Sequence, residues 1–223
     1  MLLAVDTSTT QVGLALYDGA QVIGETLWNG KLRHTTSLAP AIAELLKRTN
    51  TTMDEISALG VAIGPGSFTS LRVGLALVKG LAVARHLPLI GIPTLDILAA
   101  AQPLSDVRLA AILQAGRGRL AVGWYSVSDS RIWQSEGDAS VMRVDELIEN
   151  ITSPTLVCGE LVEEERSLLA KQRALVTLSS PTRSTRRPAF LAELAWKRWQ
   201  ADDTDDAASL APIYIQVGTP IPG

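Results

Sequence analysis

The chain has 223 residues, 47% of them hydrophobic and 19% charged, with a formal net charge of -3. That is enough length to bury a real core, as one large domain or two small ones. The acidic balance excludes a global positive field for collecting nucleic acid, so any RNA contact is local or supplied by a partner. One cysteine, Cys158, excludes an internal disulfide and a cysteine metal cluster, and a reducing, cytoplasmic setting fits it.

The opening run Met1-Leu2-Leu3-Ala4-Val5 lacks a basic flank and meets Asp6 at once, so it is not read as a signal peptide. No apolar run approaches the roughly 20 residues that a membrane span needs. Leu2 to Val5 reads as a strand, Asp6 to Thr10 as a polar turn, and Val12 to Tyr17 as a second strand. Asp18-Gly19 then signals a hairpin into a third strand, Val22 to Trp28. Ser37 is placed to cap a helix with Pro40 in its first turn. Leu38, Ile42, Leu45 and Leu46 fall on one face of that helix.

Ile56 to Ile63 predicts a buried strand, and Gly64-Pro65-Gly66-Ser67 a turn. Phe68 to Arg85 predicts a long helix with Leu71, Leu75, Val78 and Ala82 along one stripe. Leu87 to Ile92 reads as a strand and Thr94 to Ala101 as a helix. The first half is therefore β-β-β-α-β-α-β-α.

The second half repeats that order. Strands Arg108 to Gln114 and Leu120 to Val127 are joined by Ala115-Gly116-Arg117-Gly118-Arg119, and Trp133 lies in a third strand. Helix Val144 to Ile151, strand Leu156 to Cys158, helix Glu163 to Lys171 and strand Ala174 to Leu178 follow. Pro188 opens a helix reaching about Trp199, and Pro212 to Gln216 reads as an extended tail. Two copies of a meander followed by α/β units indicate a duplicated α/β fold whose two subdomains face a cleft. The boundary falls between Ala100 and Ser105, giving subdomains at 1–100 and 101–223, with the tail packing back on the first.

Two segments carry candidate binding chemistry. Asp6, Thr7 and Ser8 end a strand in a turn whose amides and hydroxyls suit a phosphate, with the carboxylate available to a hydrated cation. The same turn also reads as an ordinary polar hairpin. Gly64, Gly66 and Ser67 join a buried strand to a helix N-terminus, which suits either an anion or a capping hydroxyl. No Gly-Lys-Ser/Thr follows, so this is not a Walker A loop. Nor is Ser67 centred in a nucleophile elbow. His34 and His86 are the two histidines, without the spacing of a metal pair. Glu163-Glu164 reads as a solvated helix start, and Arg183, Arg186 and Arg187 as a surface loop.

The segments Leu3 to Thr9, Gly64 to Gly74, Lys79 to Ala82 and Leu89 to Leu95 together resemble the TsaB (YeaZ-like) family, in the same order across the whole first half. The second half matches loosely. The resemblance implies an actin-like (ASKHA, ribonuclease H-like) duplicated fold. It also implies a non-catalytic subunit required for threonylcarbamoyladenosine formation on tRNAs that read codons beginning with A. The implied partners are the catalytic paralogue TsaD, the ATPase TsaE, tRNA through the complex, and a second copy when the chain is alone.

In that paralogue the helix after the glycine-rich unit carries two metal-binding histidines four residues apart. Here Thr94 and Leu98 stand at those positions, and leucine cannot bind a metal. No cofactor is therefore expected in the isolated chain, and ATP or its adenylate only in the complex. Gln114 replaces an Asp frequent in the family, and Gln216 replaces an Arg. The expected partner face is formed by Leu38, Ile42, Leu45, Leu71, Leu75 and Val78, with core packing as the other reading of the same stripes. The alternative function is a small actin-fold phosphotransferase using Asp6.

Overall fold

The structure, a computed structural model, describes residues 1–30 and 34–215, the side chains of His34 and Thr35 excepted. Arg33 and Gln216 lie outside the described residues. The chain divides into two compact units. The first joins Met1–Ile97 to Arg187–Ile213, and the second is built on Leu98–Arg186.

Unit 1 contains β1 (Leu2–Asp6), β2 (Gln11–Tyr17), β3 (Val22–Asn29), α1 (His34–Arg48), β4 (Ala58–Gly64), α2 (Phe68–Arg85) and β5 (Leu89–Pro93). The short helix α3 (Thr94–Ala100) follows β5. The sheet order is β3-β2-β1-β4-β5. β1 runs antiparallel to β2, with Val5 opposite Leu14, and parallel to β4, with Leu3 opposite Leu59. Every residue of β1 is buried, because successive side chains enter two different cores. Leu3 and Val5 pack with α1 and α2, while Leu2 and Ala4 pack with Leu191, Ala192 and Ala195 of α6 (Pro188–Gln200). Gly60 permits that second contact, since a Cβ there would lie 2.9 Å from the Ala195 Cβ. Beyond α6 the chain returns along the edge strand β5. The Asp205 amide donates to the Leu89 carbonyl, and Ile213 donates to Ile63.

Unit 2 contains β6 (Arg108–Gln114), β7 (Leu120–Val127), β8 (Trp133–Ser135), β9 (Ser140–Met142), α4 (Val144–Asn150), β10 (Thr155–Gly159), α5 (Glu163–Ala170) and β11 (Val176–Leu178). Its sheet order is β8-β7-β6-β10-β11, with β9 also on β7. β6 is antiparallel to β7 and parallel to β10. With the added strand β9 set aside, this repeats the third-second-first-fourth-fifth arrangement of unit 1. Ala110, Ile112, Val122 and Val157 pack beneath Leu147 of α4 and Leu169 of α5.

The helix expected over 68–85 and the strands expected over 108–114 and 120–127 have those bounds. α1 differs: it begins at His34, so Ser37 lies inside the helix rather than capping it, and Pro40 is internal. β9 is a strand the alternation did not announce, three residues long and made by pairing with β7.

Candidate functional site

The turn after β1 is built by local hydrogen bonds. Asp6 Oδ1 accepts the Ser8 amide at 2.8 Å, the short-range bond that makes Asp favourable in turns. Thr7 Oγ1 donates to the Ser70 carbonyl in the first turn of α2 at 2.8 Å. Ser8 Oγ and Thr94 Oγ1 share a hydrogen bond of 2.8 Å, and the Gly64 amide donates to the same Thr94 oxygen at 3.0 Å. The Ser67 amide donates to the Ser8 carbonyl at 2.7 Å. The structure thus brings the two segments, Asp6, Thr7 and Ser8 with Gly64, Gly66 and Ser67, against each other.

What fills the space beside the glycines is protein. A Cβ on Gly66 would lie 2.1 Å from the Ser8 carbonyl oxygen, and one on Gly74 would lie 2.2 Å from Thr7 Oγ1. Gly64, at φ +109°, faces the Ile213 carbonyl at 2.5 Å from a built Cβ. Asp6, Thr7 and Ser8 are all buried. The amides of Ser8, Ser67 and Gly64 therefore already serve acceptors within unit 1. The turn is a tight joint between β1, β4, α2 and α3, and the close approach that glycine allows is used by the chain itself.

Thr94 is buried at the centre of that joint, and Leu98 is buried as well. The first carries a hydroxyl with two hydrogen-bond neighbours and the second an alkyl group. Among the described residues no group of three or more His, Cys, Asp or Glu side chains could hold a metal ion. His86 is exposed and ends α2 in the left-handed conformation at φ 54°.

The six apolar residues grouped as a partner face lie elsewhere than expected. Leu38, Ile42, Leu45, Leu71, Leu75 and Val78 are all buried within unit 1. They face the sheet because a helix laid on a sheet buries one stripe, and burying each Leu contributes about 1.5–3 kcal/mol. The outer side of α2 carries Phe68, Arg72, Ala76, Gly80 and Val83 instead. Val83 is 65% exposed, and the Arg72 guanidinium stacks 3.6 Å above the Phe68 ring.

In unit 2 the corresponding elements are handled differently. Gln114 Nε2 donates to the Glu160 carbonyl at 3.0 Å and to Glu165 Oε2 at 2.7 Å. Glu165 also accepts the Val162 amide, capping α5. Gly159, at φ +119°, brings β10 against β6, and a Cβ there would lie 2.0 Å from the Ile112 carbonyl oxygen. Arg186, grouped with a surface loop by sequence, is fully buried and pairs with Glu160 at 2.6 Å. No local signal distinguishes it from exposed Arg187, which pairs with Glu25. Cys158 is buried, and burial pushes its thiol up to about 12.

The repeated five-strand order defines the class of the protein: a duplicated actin-like α/β fold. Among solved structures, one described as an uncharacterized protein with similarity to peptidase YEAZ from Pseudomonas aeruginosa matches at TM-score 0.79. It is 23% identical and covers 96% of this chain and 99% of that one. The ethanolamine utilization protein EutJ from Carboxydothermus hydrogenoformans matches at TM-score 0.50 and 16% identity, covering 86% of this chain and 88% of that one.

In sequence, residues 21–181 match the family described as TsaD: tRNA N6-adenosine threonylcarbamoyltransferase. The tRNA threonylcarbamoyladenosine biosynthesis protein TsaB of Bacillus subtilis is 29% identical over 221 residues, covering 97% of this chain and 94% of the relative. The chain belongs to this family, on its TsaB (YeaZ-like) branch.

Proposed function

We propose that this chain acts in tRNA threonylcarbamoyladenosine biosynthesis as a non-catalytic cytoplasmic subunit. It binds and activates the transferase TsaD, alongside TsaE, for tRNAs that read codons beginning with A. The observation that carries this reading is the pair Thr94 and Leu98. At the positions where the family resemblance puts the transferase's metal-binding histidines stand a buried hydroxyl shared by Ser8 and Gly64, and a buried alkyl group. Neither supplies the donor set a divalent ion requires. The name of the B. subtilis relative and the match to the transferase family support the same pathway.

The partner surface in this reading is the outer face of α2, where Ala76, Gly80 and Val83 recur at helical spacing and let another helix approach closely. Leu75→Asp would bury a carboxylate and unfold unit 1, so it does not test that surface. Val83→Asp does, because its side chain already meets solvent.

The test is reconstitution of the modification on tRNA with purified TsaD, TsaE and ATP, with and without this chain. Omitting this chain abolishes product. Val83→Asp abolishes complex formation on size exclusion while moving the melting midpoint by less than about 2 °C. Modification of tRNA by this chain alone, ATP turnover by the isolated chain that Asp6→Ala removes, or full product without this chain would each overturn the reading.

A further inference from the structure

The β6–β7 hairpin of unit 2 has a composition unlike any other turn in the chain: Gly116-Arg117-Gly118-Arg119. Its three leading residues all take positive φ, at 72°, 55° and 66°, and the Arg119 amide closes the turn on the Gly116 carbonyl at 3.1 Å. A Cβ added to Gly116 or Gly118 would meet nothing within 4 Å. Two glycines thus sit in an open, strained-for-others conformation with no packing reason for being small.

Three arginines lie along this end of β7 and β9. Arg117 is exposed at the tip. Arg119 immediately precedes β7, and Arg143 immediately follows β9. Leu120 pairs with Met142 in antiparallel register, so Arg119 and Arg143 stand one step further along, on the same side of the sheet. Arg143 is exposed and meets one carboxylate, Asp145, at 3.5 Å, while Glu146 caps its backbone amide. Among the described residues Arg117 and Arg119 make no ion pair. Arg119 Nε is buried and has no hydrogen-bond partner. A buried guanidinium N–H without an acceptor is costly, and a side-chain rotation that brings it to an anionic oxygen relieves that cost.

We propose that this hairpin, through Arg117, Arg119 and Arg143, contacts the phosphodiester backbone of tRNA. The identity of the RNA rests on the function proposed above; the anion chemistry does not. Exposed Arg117 and Arg143, with half-buried Arg119 beside β7, match an extended polyanion, where each arginine takes its own phosphate. The patch is local in a chain of net charge -3, which is how an acidic protein contacts RNA without a global basic field.

The experiment uses the full-length chain and fluorescein-labelled tRNA, followed by anisotropy from 50 to 200 mM KCl. Three phosphate contacts predict that log Kd rises with log salt at a slope of about 2–3. Arg117→Ala, Arg119→Ala and Arg143→Ala combined are expected to weaken binding at least tenfold at 50 mM and flatten the slope. Arg117→Glu alone, at an exposed tip that leaves the fold intact, weakens it several-fold. A triple variant that binds tRNA like the parent overturns the inference, as does a parent that binds no tRNA. Displacement of tRNA by equimolar ATP also overturns it, since the hairpin would then be a nucleotide site. Reconstitution of the modification with this chain omitted separates the two readings: arginine-dependent tRNA binding by a chain that proves dispensable for modification sinks the function, not this contact.

Discussion

The first hairpin of unit 1 and the first hairpin of unit 2 occupy the same place in a repeated strand order, yet they meet opposite surroundings. Between β1 and β2, Asp6, Thr7 and Ser8 are buried and bonded to the starts of α2 and α3. Between β6 and β7, two glycines have open space around them and Arg117 is exposed. In both units the strand beside the hairpin ends on a positive-φ glycine, Gly64 and Gly159. The common backbone requirement is thus kept, while the side chains have parted. One copy has become a structural joint, and the other is left as a contact surface.

Glycine substitutions break that comparison most directly. In Gly159→Ala the new methyl would meet the Ile112 carbonyl oxygen at 2.0 Å in a φ that L residues rarely adopt. In Gly66→Ala it would meet the Ser8 carbonyl oxygen at 2.1 Å. Each is expected to lower unfolding free energy by about 3 kcal/mol or more in urea titrations, from overpacking against backbone that cannot rotate away. Gly118→Ala, with the same kind of φ but open space, should cost only about 1 kcal/mol. Equal losses at Gly66 and Gly118 would show that the first hairpin is not the tighter of the two.

Much of this contrast was visible in the amino-acid sequence only as grouping. The spacing of Leu71, Leu75 and Val78 announced α2 with its observed bounds, and the glycines announced the turns. Which side of α2 is the core was not legible. Phe68, Ala76 and Val83 make its other face apolar too, so periodicity gives no direction, and the six residues assigned to a partner proved to be core. The turn residues Asp6, Thr7 and Ser8 carry the same types whether they hold a phosphate or each other. Only the position of Thr94, 86 residues from Ser8, shows the hydrogen bond between them. Arg186 and Arg187 are adjacent and identical in type, but one is buried on Glu160 and the other pairs with Glu25 at the surface. Likewise nothing within Pro188–Gln200 says that it packs on the sheet of β1.

Thr94 sharpens the comparison at one side chain. Its hydroxyl serves both Ser8 Oγ and the Gly64 amide, so Thr94→Ala leaves two buried polar groups without that partner. The expected loss is about 1–3 kcal/mol, and Thr94→Ser, which keeps the oxygen, should recover most of it. Among the described residues no comparable hydroxyl ties down the second hairpin, where Gln114 bonds to α5 instead. A Thr94→Ala variant as stable as the parent would mean that the joint is held by packing alone.

The last effect is absent near neutral pH and concerns the interior of the second sheet. Cys158 lies opposite Ala111 and is wholly buried, and desolvation raises its thiol from the ordinary cysteine range to about 12. The folded thiol therefore keeps its proton where the unfolded chain has already lost it. A raised folded value gives stability that is complete below pH 9 and declines as pH climbs towards 12. Over that window the decline is at most about 1.4 kcal/mol per pH unit. Cys158→Ser removes this one-proton component, so the parent and the variant should differ in the slope of stability against pH above 9 and not below it. Native-state alkylation by iodoacetamide at pH 8 should be correspondingly slow and should track unfolding, because the reactive species is the thiolate. Rapid labelling of the folded protein would mean that solvent reaches β10, and the second sheet would then be looser at its centre as well as at its hairpin.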